Sequence, residues 1–563
     1  MPNKVCEKFS TFTDILCRWK KKYFKLALLT IGIVLFHIYL VFASLKHPKP
    51  VIPLIAITVI LWLVVLYCLM QKYATAVIPQ LWQDQFKRCF TPCWNSKFVN
   101  RTKSIATFAV PTILLVATAL VSLYNRWQRI NSLFGFVAIV LALLASCKNS
   151  SEVQWRPVVW GFAVQICFGL LTLKWFAGQA AIQWFSDQII TFLSFADQGS
   201  EFVYGFLVHP PRICGMEPVL MFSALQAIIY FSAFSSLLYH LGLVQLVFAG
   251  MAKMMQLTLA TTAIESFHAV VSIFLGMCES AILVSPYLAK QTDSELFAIL
   301  CSGFASSSVA MFSVYATFGA CPRYLVSSSL MSAPASLACS KLAFPETAAS
   351  ATRSCNFRLE RSRHENILDA ISAGATSAVR VILENGANLV VFVALLAFAN
   401  SCICWLGEQV GILDLSLEKI LGYAFFPVAF IVGFSEETDM SRRIEETLMA
   451  AELMGTSVVL NELIAFQRMG RFIAQGKLSA RAQMMATFAL CNFSNFGSIG
   501  IQLGTFGAIC GEKKSVVSRL ALKGILVGYA VALSSACWAG IMVDSFQVCR
   551  LRNATESCFK VDA

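Results

Sequence analysis

Long apolar runs recur along the whole chain and set the strongest limit on its fold. Runs long enough to cross the hydrocarbon core of a bilayer lie at residues 24–45, 51–70, 105–124, 133–147, 158–175, 218–239, 387–406 and 520–542. The chain is 57% hydrophobic and only 13% charged, a balance that soluble domains do not show. Because a backbone in lipid must satisfy its own hydrogen bonds, these runs predict an all-α polytopic membrane protein.

Two glutamates interrupt this apolar pattern. Glu279 lies in the run Leu-Gly-Met-Cys-Glu-Ser-Ala-Ile-Leu-Val, and Glu462 lies in Val-Val-Leu-Asn-Glu-Leu-Ile-Ala-Phe. An ionisable group at bilayer depth is costly unless it faces a cavity or a partner, so each glutamate marks a candidate functional site. The alternative for both is a buried ion pair within the helix bundle.

Small polar residues break an apolar segment downstream of each glutamate. The first break reads Phe-Ala-Ser-Ser-Ser at 304–308, and the second reads Cys-Asn-Phe-Ser-Asn-Phe-Gly-Ser at 491–498. The surrounding units, 264–319 and 418–510, look like weak internal repeats. Interrupted segments in corresponding positions of two halves are typical of secondary transporters that bind solute near the midplane. Some apolar pieces within 264–345 are too short to span and are predicted to be re-entrant.

The basic residues flank the apolar runs, which explains the net charge of +13 without a nucleic-acid partner. Lys20–Lys22 precede the first run, and further lysines and arginines fill the loop at 72–103. The positive-inside rule therefore predicts a cytoplasmic N-terminus. The tail is predicted to be extracellular, and Asn553 in Asn-Ala-Thr is its candidate glycosylation site.

Enzymatic and metal-binding classes find no support in the motifs. The chain contains no His-Glu-x-x-His and no Gly-x-Ser-x-Gly sequence. Most of the 20 cysteines lie singly in apolar runs, and the close pairs lack the further ligands of a zinc site. We therefore expect no enzyme, no cofactor and no thiol-bound metal.

Several motifs resemble concentrative nucleoside transporters, and they occur in that family's order. They include Arg156-Pro-Val-Val-Trp-Gly, Gly199-Ser-Glu-Phe-Val-Tyr-Gly, Met331-Ser-Ala-Pro-Ala-Ser-Leu-Ala, Asn461-Glu-Leu-Ile-Ala and Ala489-Leu-Cys-Asn-Phe-Ser-Asn-Phe-Gly-Ser-Ile-Gly. The resemblance covers the chain from the first apolar run to the tail. It is closest to the eukaryotic branch, which has additional N-terminal spans and a glycosylated tail.

The resemblance implies a fold with two re-entrant helical hairpins and two broken helices. It also implies a homotrimer in the plasma membrane that imports nucleosides by an elevator-type alternating-access mechanism, coupled to sodium or protons. The implied parts are a cytoplasmic N-terminus (1–23), N-terminal spans (24–147), a scaffold part with an interfacial helix (148–245), a first hairpin and broken helix (246–345), a loop, connector helix and scaffold span (346–417), a second hairpin, broken helix and last span (418–545) and an extracellular tail (546–563). The alternative is a transport-inactive nucleoside sensor derived from such a transporter.

The family's substrate-binding pattern is transferred to eight positions. They are Met277, Cys278, Glu279, Met311, Glu462, Phe493, Asn495 and Ser498. Glu462 is expected to accept hydrogen bonds from the ribose hydroxyls with Asn495 and Ser498 beside it, because a charged acceptor bonds a hydroxyl strongly. Phe493 is expected to pack on the base, for which ordinary core packing is the alternative.

The base-reading motif departs from the family. Met277 and Cys278 stand where the family has Gln-Thr, and methionine cannot replace the donor and acceptor of an amide. Base recognition is therefore expected to be weaker or moved to another residue such as Asn492. We expect the preference to shift away from the family's usual pyrimidine pattern.

The cation site departs as well. The family's sodium ligands correspond to Ser272, Leu275, Ser306 and Ser307, so the backbone carbonyls and the Ser306 hydroxyl are retained. Ser272 replaces an asparagine and removes one amide oxygen. Sodium and proton coupling both stay open, with Glu279 or Glu462 as the proton carrier in the second case.

A third departure is the charged segment at 434–447, which lengthens the second hairpin by about two helical turns. We expect it at the tip of that hairpin, where the family controls access of substrate. The alternative is a solvated insertion.

Overall fold

The computed structural model describes residues 30–42, 58–59, 62, 97–124, 126–147, 149–210, 219–350, 364–409, 411, 415–544 and 546. The predicted cytoplasmic N-terminus, most of the run at 51–70 and the tail with Asn553 lie outside the described residues. The chain divides into two compact units, residues 1–104 and 105–563. In the first unit, helix α1 (Thr30–Phe42) is the main described element.

Every regular element in the described part of the chain is helical, as predicted. The helices after α1 are α2 (Lys97–Leu123), α3 (Ile130–Ala145), α4 (Trp155–Gly169), α5 (Phe176–Tyr204), α6 (Ala227–His240), α7 (Leu243–Leu259), α8 (Ala263–Val271), α9 (Met277–Leu288), α10 (Asp293–Ala305), α11 (Phe312–Thr317), α12 (Pro322–Ala343), α13 (Ile367–Gln409), α14 (Leu417–Val432), α15 (Met440–Val459), α16 (Glu462–Ala474), α17 (Ala480–Leu490), α18 (Phe496–Ile509) and α19 (Lys514–Met542).

Helices α8 to α11 form the first hairpin and the first broken helix. A capping box of Thr262 and Glu265 starts α8, and a second one of Thr292 and Glu295 starts α10. Between them the chain turns over residues 272–276 and returns as α9. Helix α10 ends at Ala305, the backbone of Ser306 after it is extended, and a short turn then leads into α11. The predicted break at 304–308 is therefore present.

Helices α15 to α18 repeat this order. Helix α15 ends before Leu460 and Asn461, and α16 starts with Asn461 as its N-cap. After α17 the chain is non-helical over 491–495, and α18 starts with Asn495 as its N-cap. Both N-cap side chains accept a hydrogen bond from a backbone N–H of the helix that follows. The structure thus contains the hairpin and broken helix of both predicted repeats.

The long helices α12 and α19 form the buried centre of the second unit. Gly528 in α19 lies where both breaks reach that helix. A Cβ at Gly528 would lie 2.6 Å from Ser494 Oγ and 2.8 Å from the Cβ of Phe304, so a side chain would push the breaks away. Helix α19 is therefore the common support of the two interrupted helices.

Four helical stretches in the described residues are long and apolar enough to cross a membrane, by length and composition only. They are Trp155–Lys174, Asp293–Thr317, Leu389–Gln409 and Gly511–Met542. The pair α6 and α7, bent by 81°, would make a fifth. Of these stretches, Asp293–Thr317 lies within residues 264–345, where the sequence predicts some apolar pieces too short to span. The short helices of that region include α8 and α9, with 9 and 12 residues. Residues 176–204, for which the sequence predicts the interfacial helix of the scaffold part, form the single helix α5 of 29 residues, and its interfacial position stays a prediction.

The expected position of the charged segment at 434–447 was wrong. It forms the connection from α14 to α15 and the first turns of α15, whereas the tip of the second hairpin lies at the other end of this 20-residue helix. That separation is about 20–30 Å along the helix axis. Its charge is partly paired rather than solvated, because Glu436 forms ion pairs of 2.8 Å with both Arg129 and Arg481.

Candidate functional site

The two breaks meet and are hydrogen-bonded to each other. The carbonyl oxygen of Phe304 accepts a hydrogen bond from Phe493 N at 2.9 Å and from Ser494 Oγ at 3.0 Å. The first hairpin joins the same junction, because Val309 N donates to the carbonyl of Phe274 at 3.1 Å. A helix break leaves backbone N–H and C=O groups without partners in their own helix. Here the neighbouring break supplies hydrogen-bond partners, which holds the two breaks together.

Glu462 lies at this junction, is only 3% exposed and starts α16. Asn495 Nδ2 donates to Glu462 Oε2 at 2.8 Å, and Asn495 Oδ1 accepts from the backbone N–H and the hydroxyl of Ser498. The predicted triplet of Glu462, Asn495 and Ser498 is therefore brought together in one hydrogen-bonded chain.

Neither intramembrane glutamate forms an ion pair with another described residue. Within the described residues, no lysine, arginine or histidine forms a salt bridge with Glu279 or with Glu462. The alternative of a structural ion pair is therefore excluded for this part of the chain. A buried carboxylate without a counter-ion is the arrangement expected of a binding site.

Tyr315 completes the surroundings of Glu462, and the sequence did not single it out. Its hydroxyl lies beside the Glu462 carboxylate and accepts a hydrogen bond from Ser307 Oγ at 3.2 Å. Its fully buried ring stacks on Phe466 with 4.3 Å between ring centroids. Tyr315 thus connects a predicted cation residue, Ser307, to the predicted ribose acceptor.

The first hairpin contributes Met277, Cys278 and Glu279 from the first turn of α9. Met277 is buried, while Cys278 and Glu279 are half-buried. The Glu279 carboxylate lies beside Gly276, the N-cap of α9, and would have to move if a Cβ were added there. A helix N-terminus favours negative charge, so this position suits a carboxylate without a basic partner.

The two remaining substrate predictions lie at the same junction. Phe493 is half-buried between the two breaks and packs against both main hydrophobic clusters. Met311 is 5% exposed in the turn between the first break and α11. Their proximity fits the predicted roles, which stay predictions.

The predicted cation residues lie around the first break. Ser306 Oγ donates to the carbonyl of Ser302 at 2.9 Å, and Ser272 Oγ donates to the carbonyl of His268 at 2.8 Å. Ser272 and Leu275 flank Phe274, whose carbonyl binds the first break. Hydroxyl and carbonyl oxygens are the hard ligands that small cations prefer, so the oxygen atoms of these residues would suit a transported sodium ion.

A buried histidine lies beside these residues and was also missed. His268 is 1% exposed, and its ring nitrogens lie 2.7 Å from Ser302 Oγ and 3.1 Å from Ser280 Oγ. A single histidine in an apolar helix gives little signal. The serines at the C-cap of α8 and on the facing sides of α9 and α10 could have indicated a polar cluster. Such hydrogen-bonded clusters fix helix positions.

Asn492, the other residue considered for base recognition, is already hydrogen-bonded to the backbone of the second break. It is fully buried, its Nδ2 donates to the carbonyl of Ala489 at 2.7 Å, and its Oδ1 accepts from Ser494 N at 2.9 Å. Both ends of its amide therefore stabilise the backbone of the second break.

A separate acidic group of Glu265, Glu295 and Glu346 lies at the start of α8 and α10. Lys341 is placed among these carboxylates, paired with Glu265 and 3.5 Å from Glu346, and it donates to Ser294 Oγ at 3.1 Å. The lysine ammonium supplies the positive charge there, so the group is an ion-pair network.

Two hairpins and two broken helices that meet at an uncompensated carboxylate define a secondary transporter. Three family models match the chain: "Na+ dependent nucleoside transporter N-terminus" over residues 134–207, "Nucleoside recognition" over 221–321 and "Na+ dependent nucleoside transporter C-terminus" over 324–540. The chain belongs to the concentrative nucleoside transporter family, whose members are transporters rather than enzymes.

Individual relatives agree with this assignment. Sodium/nucleoside cotransporter 1 of Oryctolagus cuniculus is 34% identical over 540 residues, which are 93% of this chain and 78% of that protein. Sodium/nucleoside cotransporter 2 of Rattus norvegicus is 35% identical over 469 residues, covering 81% and 69%. The solved structure of CNTnw in an inward-facing substrate-bound state has a TM-score of 0.68 and 29% identity, covering 74% of this chain and 98% of that one. A CNTnw variant in an intermediate state gives a TM-score of 0.69.

Proposed function

We propose that this chain imports nucleosides across the plasma membrane in symport with sodium. The relatives named above are described as sodium/nucleoside cotransporters, which supports both the solute and the ion. CNTnw is described in inward-facing, outward-facing and intermediate states, which supports an elevator-type alternating-access motion of the two hairpins and broken helices. These relatives give no support to the sensor alternative.

The observation that carries the proposal is the Glu462 network. The carboxylate is buried, has no ionic partner among the described residues and is oriented by Asn495 and Tyr315. A ribose offers two vicinal hydroxyl groups, which donate well to such a carboxylate. Ser498, held by Asn495 Oδ1, adds a further polar group beside the ribose.

The base is proposed to lie between the first hairpin and the two breaks. Glu279 and Cys278 are the half-exposed polar groups on the hairpin, and Met277, Met311 and Phe493 supply apolar contact. An apolar contact discriminates by shape alone, so a larger purine ring gains more from it than a pyrimidine does. The proposed preference is therefore shifted toward purine nucleosides.

Sodium is proposed to bind between the hairpin turn and the first break. The carbonyls of Leu275 and Ser307 and the hydroxyl of Ser306 would provide its ligands, with Ser272 in place of the family's asparagine. Proton coupling is the competing possibility, because that replacement removes an amide oxygen. The coupling ion is decided by the uptake experiment below.

The assembly and topology predictions belong to the same proposal. Helix α13 exposes Val390, Phe398 and Trp405 over a stretch apolar enough to span, which supports a surface that lipid or neighbouring copies cover. We propose a homotrimer with scaffold and transport domains, a cytoplasmic N-terminus and an extracellular, glycosylated C-terminus.

The test is uptake of labelled adenosine and uridine by cells that express the chain. Sodium and choline buffers are compared, each at neutral and mildly acidic pH, with Glu462→Gln at equal surface expression as the control. We expect uptake that sodium stimulates and that the variant strongly reduces. Uptake that acid stimulates in the absence of sodium would show that the coupling ion is a proton and not sodium. No uptake in any buffer would refute the proposed transport.

A further inference from the structure

One buried amide near the junction is not explained by the roles proposed so far. Gln502 in α18 is 1% exposed, and its Oε1 has no hydrogen-bond partner in the described part of the chain. A buried acceptor without a partner is destabilising and uncommon in folded proteins. An unsatisfied group of this kind next to a binding site suggests that a ligand supplies the partner.

Gln502 shares one face of α18 with the proposed ribose residues. Asn495, Ser498, Gln502 and Thr505 follow each other at spacings of three and four residues, which places them along one side of a helix. Asn495 at one end of this row reaches Glu462 at 2.8 Å. At the other end, the Thr505 hydroxyl donates to Cys278 Sγ at 3.2 Å. The row therefore runs from the second hairpin to the first hairpin.

The surroundings of Gln502 place its amide beside Met277. A Cβ added at Gly303 would lie 2.8 Å from Gln502 Nε2 and 3.4 Å from the Cβ of Met277, so both side chains border the same small space. Gln502 also lies about one helical turn, or about 6 Å along the axis, beyond Ser498. A ribose held at Asn495 and Ser498 would direct its base along this row.

We propose that Gln502 hydrogen-bonds to the base of the transported nucleoside, supplying from α18 the amide that the first hairpin lacks at Met277. This inference rests on the proposed function. An amide offers both a donor and an acceptor, so it can pair with a base edge that carries an amino or a carbonyl group. A base without such groups leaves the amide unpaired and binds less well.

The test measures how well unlabelled ribosides inhibit uptake of labelled adenosine. Inosine and uridine carry hydrogen-bonding groups on the six-membered ring, whereas the six-membered ring of benzimidazole riboside carries none. The readout is the ratio of the inhibition constant of benzimidazole riboside to that of inosine. Gln502→Met, which keeps the side-chain length, should lower this ratio about tenfold, the factor that corresponds to one lost hydrogen bond.

A matched control is Gln165→Met in α4. Gln165 is also buried with an unpartnered Oε1, but its Nε2 is held by Ser534 and Ser535 of α19 at 3.0 Å. Its substitution should leave the ratio unchanged. The double variant Met277→Gln with Gln502→Met keeps one amide in the space that these two side chains border. It should therefore recover part of the discrimination between inosine and benzimidazole riboside.

The outcomes separate the inference from the proposed function. An unchanged ratio in Gln502→Met at normal surface expression would overturn the inference, and so would an equal loss for all ribosides, which marks a purely structural role. If Gln502→Met does not reach the surface, the exchange variant decides in its place: failure to discriminate against benzimidazole riboside would overturn the inference. Absence of uptake by the unmodified chain would instead refute the transport on which it rests.

Discussion

Replacing Glu462 with glutamine changes the charge of the proposed ribose acceptor while keeping its size. In the structure, Glu462 Oε2 accepts from Asn495 Nδ2 at 2.8 Å, and Tyr315 lies beside the same carboxylate. A carboxylate has about four lone-pair sites, so enough are left for the two ribose hydroxyls. The amide oxygen of glutamine is a weaker, neutral acceptor for both.

The size of the effect follows from these two bonds. A hydrogen bond to a charged group contributes about 1 kcal/mol more than a neutral one, so two of them correspond to about 2 kcal/mol. We therefore expect Glu462→Gln to weaken adenosine binding about 30-fold. For 3′-deoxyadenosine, which keeps only one of the two hydroxyls, the expected loss is about fivefold.

Uptake at low substrate concentration, normalised to surface protein, measures both losses, and binding to the purified protein gives the affinities directly. The difference between the two nucleosides is the decisive quantity, since misfolding or impaired movement would reduce both equally. Equal losses for adenosine and 3′-deoxyadenosine, or none for either, would show that Glu462 does not hold the ribose.

Two further substitutions test the structural basis of the site. Gly276→Ala should push the Glu279 carboxylate away from the N-terminus of α9, a position that favours its charge by up to about 1 kcal/mol, and should reduce nucleoside affinity about fivefold; Gly500→Ala, with open space around its Cα, is the control, and equal behaviour of both variants would contradict the expected displacement. Arg481→Leu leaves a buried network without its charge, at about 3–5 kcal/mol, and should lower the melting temperature of the purified protein clearly. Arg519→Leu removes an exposed pair worth about 1 kcal/mol or less, so a comparable shift in this variant would refute the argument.

The arrangement of hairpins and broken helices was predictable because polar residues within apolar runs have few explanations. Asn461 and Asn495 follow apolar helices and act as N-caps in the structure, so the same residues signal both the break and the new helix start. The grouping of Glu462 with Asn495 and Ser498 came from the family resemblance, and the structure places them together.

The other residues of the site could not be predicted, because their roles depend on which helices face each other. Tyr315, Gln502 and His268 each lie in an apolar helix, where a single polar group is usually an ordinary core residue, and only the facing side chains give them a role. The misplaced charged segment has a similar cause. Helix boundaries fall both at 433–439 and at 460–461, and only the packed structure shows that the second of these lies beside the site.

The direct contact between the breaks has a thermodynamic consequence. Phe304 O joins the first break to Phe493 at 2.9 Å, and Tyr315 lies between Ser307 and Glu462. An ion at the proposed cation site and a solute at the proposed ribose site would therefore act on the same group of residues. Linkage requires the factor by which one ligand strengthens the other to be the same in both directions. If sodium increases the affinity for nucleoside, nucleoside must retain sodium equally well. A carrier loaded with both ligands would then be favoured over either half-loaded form, and leakage of the ion gradient would be limited by the binding equilibrium itself.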